Sequence, residues 1–378
     1  MAGSSEAGSS EAGSSEAGSS EAGAVGPWRG RWRALWAGIY GLVGLLVGLS
    51  VLSAIPVLQF ATLGWLLEAE GRLARGEGWR RGLLPGLRAA APLGAGLIGC
   101  GLLLLPFLVL WHLHIDAQLL SPGSGPAVGW GRAALVYGAL AAAHAAVSLA
   151  AGRGSLLAFA TPFANLQALH REGLRLPRAR ELGAHLGQSL ELGLKGFLAG
   201  AAWLTPPTAL LAAGMSRQNP LLGLLGAVAL VLSLRSALVA QARVAAEGRL
   251  GAAFEWGAIR QAVRRAPLAT ALALLLTLAL ALPLYLLKVE ELPRDTLWLP
   301  ALVFLVAAWP GRVAAGWALG RARHEGRAPW PLRLLGLALA LPAAGAYVFF
   351  VFFNQFFAWN GVRHLFAHHA FLLPVAFY

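Results

Sequence analysis

Apolar runs of about 20 residues alternate along this chain with short arginine-rich stretches, and no other feature restricts its fold as strongly. A helix rises 1.5 Å per residue, so a run of that length crosses the ~30 Å hydrocarbon core of a bilayer. Within lipid the backbone must bond to itself, which leaves helices as the form such runs can take. Composition agrees. Hydrophobic residues make up 57% of the chain and charged residues 12%, against about 25% charged in a soluble globular protein. That is too little charge to cover a water-facing surface. The candidate spans are 34–67, which is uncharged but interrupted at Pro56, then 89–111, 133–152, 196–214, 221–244, 267–287, 297–320 and 334–353. The expected fold class is all-α: a polytopic helical membrane bundle of about eight spans.

The formal net charge is +13. In a soluble chain that balance would point to nucleic acid. Here the basic residues flank apolar spans, so the expected partner is the lipid bilayer, with anionic headgroups at the cytoplasmic loops. Stretches 68–88, 170–195, 243–265 and 321–333 hold most of the 30 Lys and Arg. Short loops of this kind stay cytoplasmic, which turns 112–132, 215–220 and 288–296 outward. Eight spans put both ends of the chain outside. Arg29, Arg31 and Arg33, set among Trp28, Trp32 and Trp36, favour a cytoplasmic start instead, which would need 34–67 to cross twice. The reading taken is one long, broken first helix. That first run follows a polar tail and is too long for a signal-peptide core, so it is expected to be retained. All but two of the basic residues, Lys195 and Lys288, are arginine. With the abundance of Gly, Ala and Leu, this suggests a GC-rich bacterial genome and hence an inner membrane. Cys100 is the sole cysteine, which excludes an intrachain disulfide and a cysteine zinc site.

Four parts are expected along the chain. Residues 1–27 form an acidic low-complexity tail containing repeated Ala-Gly-Ser-Ser-Glu, too poor in apolar side chains to order. Residues 28–215 and 216–353 form two membrane halves, and 354–378 form an aromatic, histidine-bearing interfacial tail. An internal repeat links the halves. Ala69-Glu70-Gly71-Arg72-Leu73 recurs as Ala246-Glu247-Gly248-Arg249-Leu250, and at the same offset Trp79 matches Trp256 and Arg88 matches Arg265. Fainter copies lie at 172–175 and 325–327. The bundle thus reads as four pseudo-repeated hairpin units, each an inbound helix, a Glu-Gly-Arg corner, a basic amphipathic segment and an outbound helix. The corner glycine should end its helix in a left-handed turn. The faces Trp79/Leu83/Leu87, Leu182/Leu186/Leu190 and Trp256/Ile259/Val263 are expected to lie in the membrane interface. Residues 40–110, with the apolar helix, the Pro56 break, Gly64 to Leu67 as Gly-x-Leu-Leu and the basic amphipathic segment, resemble uncharacterised bacterial multi-pass families of unknown function. That resemblance implies no activity and lends no functional residues.

Polar groups inside spans are costly and therefore mark sites. Arg235 and Arg312 occupy matching positions ahead of Glu247 and Glu325, where each can reach lipid phosphates or line a cavity. His144 lies mid-span among alanines, bonded to a neighbouring helix or acting as a proton relay or ligand group. Thr205-Pro206-Pro207-Thr208 should break the fourth span and free carbonyls for an ion or substrate, with Pro56 and Pro310 breaking others. His144, Thr205, Arg235 and Arg312 are the candidate substrate-binding residues. A metal ion is the only cofactor the sequence offers, at His112, His114 and Asp116 (H-x-H-x-D) or His364, His368 and His369 (H-x-x-x-H-H), all on the outer face. The second motif is similar to one histidine box of membrane-bound di-iron hydroxylases and desaturases. Those carry several boxes facing the cytoplasm, whereas this chain has one, outside. G-x-S-x-G, Walker and H-E-x-x-H signatures are missing, which leans against an enzyme. The expected function is therefore permease-like, or another form of small-solute or lipid handling. The alternatives are a non-catalytic membrane scaffold that organises lipids or a partner complex, homo-oligomers included, and a membrane metalloenzyme using the outer histidines.

Overall fold

The computed structural model describes residues 27–152, 155–173, 177–286, 298–358 and 361–372. The acidic repeat, loop 288–296, the corner residues 174–175 and Trp359 lie outside them. The described residues form helices joined by short turns, with no strand among them. The helices are α1 (Pro27–Ala54), α2 (Gln59–Ala74), α3 (Trp79–Gly82), α4 (Leu87–Leu120), α5 (Gly125–Ala150), α6 (Pro162–Glu172), α7 (Pro177–Ser216), α8 (Pro220–Glu247), α9 (Trp256–Arg265), α10 (Pro267–Leu286), α11 (Trp298–His324) and α12 (Trp330–Asn354). Eight of them are long and apolar enough to cross a membrane: α1, α4, α5, α7, α8, α10, α11 and α12. The protein is a multi-pass integral membrane protein. Leucines and valines such as Leu105, Val109, Leu135 and Leu140 lie exposed along α4 and α5, a surface that lipid tolerates and water does not.

Local chemistry starts and stops these helices. Ser124 caps α5, its hydroxyl accepting from the Ala127 N–H at 3.4 Å. Asn219 caps α8 by accepting from Leu222 N–H at 3.1 Å, with Pro220 in the first turn, where the missing N–H costs nothing. Gly248 ends α8 in the left-handed conformation at φ 69°.

Pro56 does more than interrupt the first run. Residues 55–58 form a turn with Val57 at φ 71°. The Thr62 hydroxyl then reaches back to the Leu49 carbonyl at 3.0 Å. α2 therefore doubles back beside α1, where one long broken helix was expected. At 16 residues it is about 24 Å long, short for a span, and it lies at the centre of the bundle. A Cβ built on Gly64 would lie 1.6 Å from the Ser189 carbonyl oxygen of α7, one on Gly71 2.2 Å from that of Ala245 in α8, and one on Gly316 of α11 2.2 Å from that of Glu70. Three helices thus touch the backbone of α2, the close approach that small residues permit in membranes.

The carboxyl ends of α2, α8 and α11 gather at one end of the bundle. Arg75 donates to the Ala245 and Ala246 carbonyls at 3.3 and 3.4 Å, and Arg323 to Ala74 at 3.1 Å. We call this the basic end. α7 and α8 form an antiparallel hairpin across the boundary expected at 215, with Gly214 beside Gly223. α10 and α12 run parallel, Gly336 against Pro267 and Tyr285 against Tyr347. The α4–α5 pair lies to the side against α1.

Several local expectations change. α7 stays helical through Pro206 and Pro207, and α11 through Pro310. Each proline removes one backbone donor, yet the helix continues past it. Leu182, Leu186 and Leu190 belong to α7 itself rather than to a separate interfacial helix. The Trp79/Leu83/Leu87 face shrinks to the four residues of α3, because Trp65 and Trp309 bind the Pro85 and Leu83 carbonyls at 2.7 and 3.0 Å and hold that segment against α2 and α11. α9 does form, with Ile259 and Ala262 buried against the bundle.

Candidate functional site

The strongest polar cluster lies where α2, α8 and α11 meet. Arg312 on α11 is 2% exposed; Glu70 on α2 and Gln241 on α8 are fully buried. Arg312 Nη1 donates to Glu70 Oε2 at 3.3 Å and to Gln241 Oε1 at 3.0 Å. Nη2 donates to the Phe371 carbonyl at 2.8 Å and the Ala370 carbonyl at 3.4 Å. The Gln241 amide nitrogen donates to the Gly196 and Phe371 carbonyls, both at 2.8 Å, so its oxygen faces Arg312. A buried guanidinium survives only when its charge and its donors are both answered. Here one carboxylate, one amide and two backbone carbonyls answer them. Glu70 Oε1 is buried and has no hydrogen-bond partner among the described residues.

The two carbonyls belong to the carboxyl-terminal segment, which was expected to rest at the interface. Instead 361–372 turns back into the bundle from the end of α12. Gln355 donates to Met215 Sδ at 3.1 Å near the α7–α8 turn. Deeper, Tyr285 donates to the Ala367 carbonyl at 2.7 Å and accepts from the Tyr347 hydroxyl at 2.8 Å. His368 Nε2 lies 2.8 Å from the Thr208 hydroxyl. Leu365 and Phe371 are fully buried, which supplies the apolar reason for the segment to enter.

The predicted residues separate on this frame. Arg312 is in the cluster. Arg235, its counterpart on α8, is half-buried and has no carboxylate partner among the described residues. Thr205 is exposed, and Thr208, one turn on, holds the segment. His144 Nε2 lies 2.7 Å from the Phe159 carbonyl in the segment just after α5. His114 binds the Ala127 carbonyl at 2.8 Å, while His112 and Asp116 are exposed on α4. His364 accepts from Asn354 at 2.8 Å, and His369 packs against Tyr285 and Phe304. Among the described residues no three His, Cys, Asp or Glu side chains are grouped to hold a metal. The two histidine motifs sit on elements with different neighbours, α4 beside α1 and α5, the tail beside α7 and α12. Glu70, Gln241 and Thr208 were not among the candidates. Gln241 carried a signal, an amide enclosed in an alanine-rich apolar run, and Glu70 was hidden by its place in the repeat.

Elsewhere, a groove of about 930 Å³ opens between α7, α8 and α12, lined by apolar side chains such as Leu224, Val228 and Phe349 and holding no charged side chain. The polar cluster lies apart from it.

Residues 187–289 match DUF4013, a protein family of unknown function. The match spans α7, apart from its first turns, through α10, about a quarter of the chain, and includes Gln241 but neither Glu70 nor Arg312. It falls outside 40–110, where the resemblance was seen. The repeat offset carries 40–110 onto 217–287, which lies inside the DUF4013 segment. No curated protein and no solved structure matches the chain.

Proposed function

We propose that this is a permease-like protein of a bacterial inner membrane, with its basic end in the cytoplasm, handling a small polar solute at Glu70, Gln241 and Arg312. The observation that carries the reading is the identity of what fills the cluster: backbone carbonyls of the chain's own terminal segment. Once that segment withdraws, Arg312, Gln241 and Tyr285 each lose an acceptor inside an apolar bundle, a cost of roughly 1–3 kcal/mol apiece. They would then favour any solute that brings acceptors back, a carboxylate above all, while Glu70 Oε1 stands ready to accept from a donor on the same solute. The doubling back of α2 supports the orientation. With α2 inbound, α1 runs outward, and Arg31 and Arg33 fall on the cytoplasmic side, as short basic segments prefer.

The test uses proteoliposomes and a panel of small carboxylate-bearing solutes. A chain shortened to end at residue 360 should take up or bind one of them more than the full chain. Arg312→Met should remove that gain, and a peptide of residues 361–372 should compete with the solute. Equal uptake by the full chain, the shortened chain and Arg312→Met across the panel would defeat the proposal.

A second reading, a membrane component that docks a partner, is favoured by the α4–α5 arm, whose outward leucines and valines face away from the bundle. Crosslinking from Leu135→Cys that captures only lipid would remove it.

A further inference from the structure

A cavity of about 420 Å³ opens at the basic end, lined by Gly257, Arg260, Gln261, Arg264, Arg265 and Arg327. Four arginines therefore border one hollow. The fold makes this cavity rather than sequence proximity alone. α9 buries Ile259 and Ala262 against the bundle, which turns Arg260 and Arg264 outward. The Ala328 N–H donates to the Arg264 carbonyl at 3.2 Å and ties the segment after α11 onto the end of α9, carrying Arg327 across. None of the four has a carboxylate partner among the described residues. The acids nearest in the chain are committed elsewhere, Glu255 to Arg243 and Arg249, and Glu325 to Arg321. Four like charges around one hollow repel one another, and an anion seated among them removes that repulsion. Guanidinium forks match the paired oxygens of phosphate. The depth fits as well: exposed Trp256, at the start of the same helix, packs at a tilt against Trp203, and tryptophan belongs at headgroup level.

We propose that this pocket is a binding site for a phosphate group, held by Arg260, Arg264 and Arg327. It is independent of the solute cluster at Arg312. The phosphate can come from an anionic lipid headgroup or from free phosphate, and the experiment separates the two. Purified full-length protein in neutral detergent is titrated with inorganic phosphate, and in parallel with short-chain phosphatidylglycerol or phosphatidylcholine. Binding of phosphatidylglycerol alone assigns the lipid headgroup; binding of inorganic phosphate assigns the free ion; either supports the site. The variant Arg260→Gln/Arg264→Gln/Arg327→Gln should weaken the bound probe about tenfold, the loss expected when charge-assisted bonds go. The charge-matched variant Arg80→Gln/Arg81→Gln/Arg88→Gln, at another corner, should change it less than about twofold. Arg327→Gln alone alters only a loop residue and should weaken binding about threefold, so it decides the matter if the triple variant elutes misfolded. Equal loss in the two triple variants, or no binding of any probe by the native protein, would overturn the proposal.

Discussion

The same five residues, Ala-Glu-Gly-Arg-Leu, occur at 69–73 and 246–250 and do two different jobs. In the second copy the glycine stops the helix. Gly248 is left-handed, and Glu247 lies partly exposed between Arg243 and Arg249. In the first copy the helix runs straight through. Gly71 is helical and pressed against the α8 backbone, Glu70 is fully buried on Arg312, and the turn waits until Gly76 at φ 81°. The difference lies in what continuing gains. Past Gly71, Leu73 and Ala74 still find α3 and α11 to pack on, and Gly76 offers a later stop. Past Gly248 the chain bends into the short helix 250–254, whose Ala252 and Ala253 are buried, and the left-handed turn at Gly248 is what redirects it there. A capping glycine is an option that tertiary contacts accept or decline.

The comparison can be broken most sharply at the glutamates. Glu70→Ala leaves Arg312 buried without a carboxylate and should cost about 3–5 kcal/mol, whereas Glu247→Ala should cost about 1 kcal/mol or less, since Arg243 keeps Glu255. Thermal unfolding in detergent measures both, and equal losses would erase the distinction. The glycines come next. Gly71→Ala would place a methyl against the Ala245 carbonyl and should cost about 1–3 kcal/mol by forcing α2 from α8, while Gly248→Ala should cost about 1 kcal/mol through its left-handed φ alone. A shorter α2–α8 crosslinking distance in Gly71→Ala would contradict the close approach. The double change Glu70→Leu/Arg312→Met removes both charges and should recover stability to within about 1 kcal/mol of the native protein, although solute binding is lost. The smallest effect belongs to the second copy's surroundings. Arg249, with Arg243, holds the Glu255 carboxyl below its ordinary value of 4.5. Its contribution to stability is therefore full above that value and is lost as pH falls through the lowered one. The difference in thermal midpoint between native protein and Glu255→Gln should be steady at neutral pH and close in acid; a difference that grows in acid would reverse the assignment.

Most of the spans could be read from the chain because transfer into lipid acts residue by residue: 20 apolar residues state their own preference. Arg312 stood out for the same reason. Choosing between Arg312 and Arg235 was another matter. Both lie on helices that are apolar all round, so no stripe announces which face turns inward. Gln241 and Glu70 were obscure because their value depends on partners far along the chain, 71 and 242 residues from Arg312. The histidines of the tail were visible as chemistry but not as position, since aromatic residues suit an interface and a protein interior equally.

The amino-acid sequence by itself determined that this chain is helical, lives in a membrane, crosses it many times and presents arginine at one end of its helices. Each of those follows from local free energies that neighbouring residues set. Only the tertiary structure decided that α2 doubles back to the centre, that one of two matching arginines meets a carboxylate, and that the terminal segment enters the bundle to meet it. Those outcomes depend on helix rotation and on contacts between residues far apart in the chain, and a bilayer, apolar on every side, leaves no trace of them in the pattern of the spans.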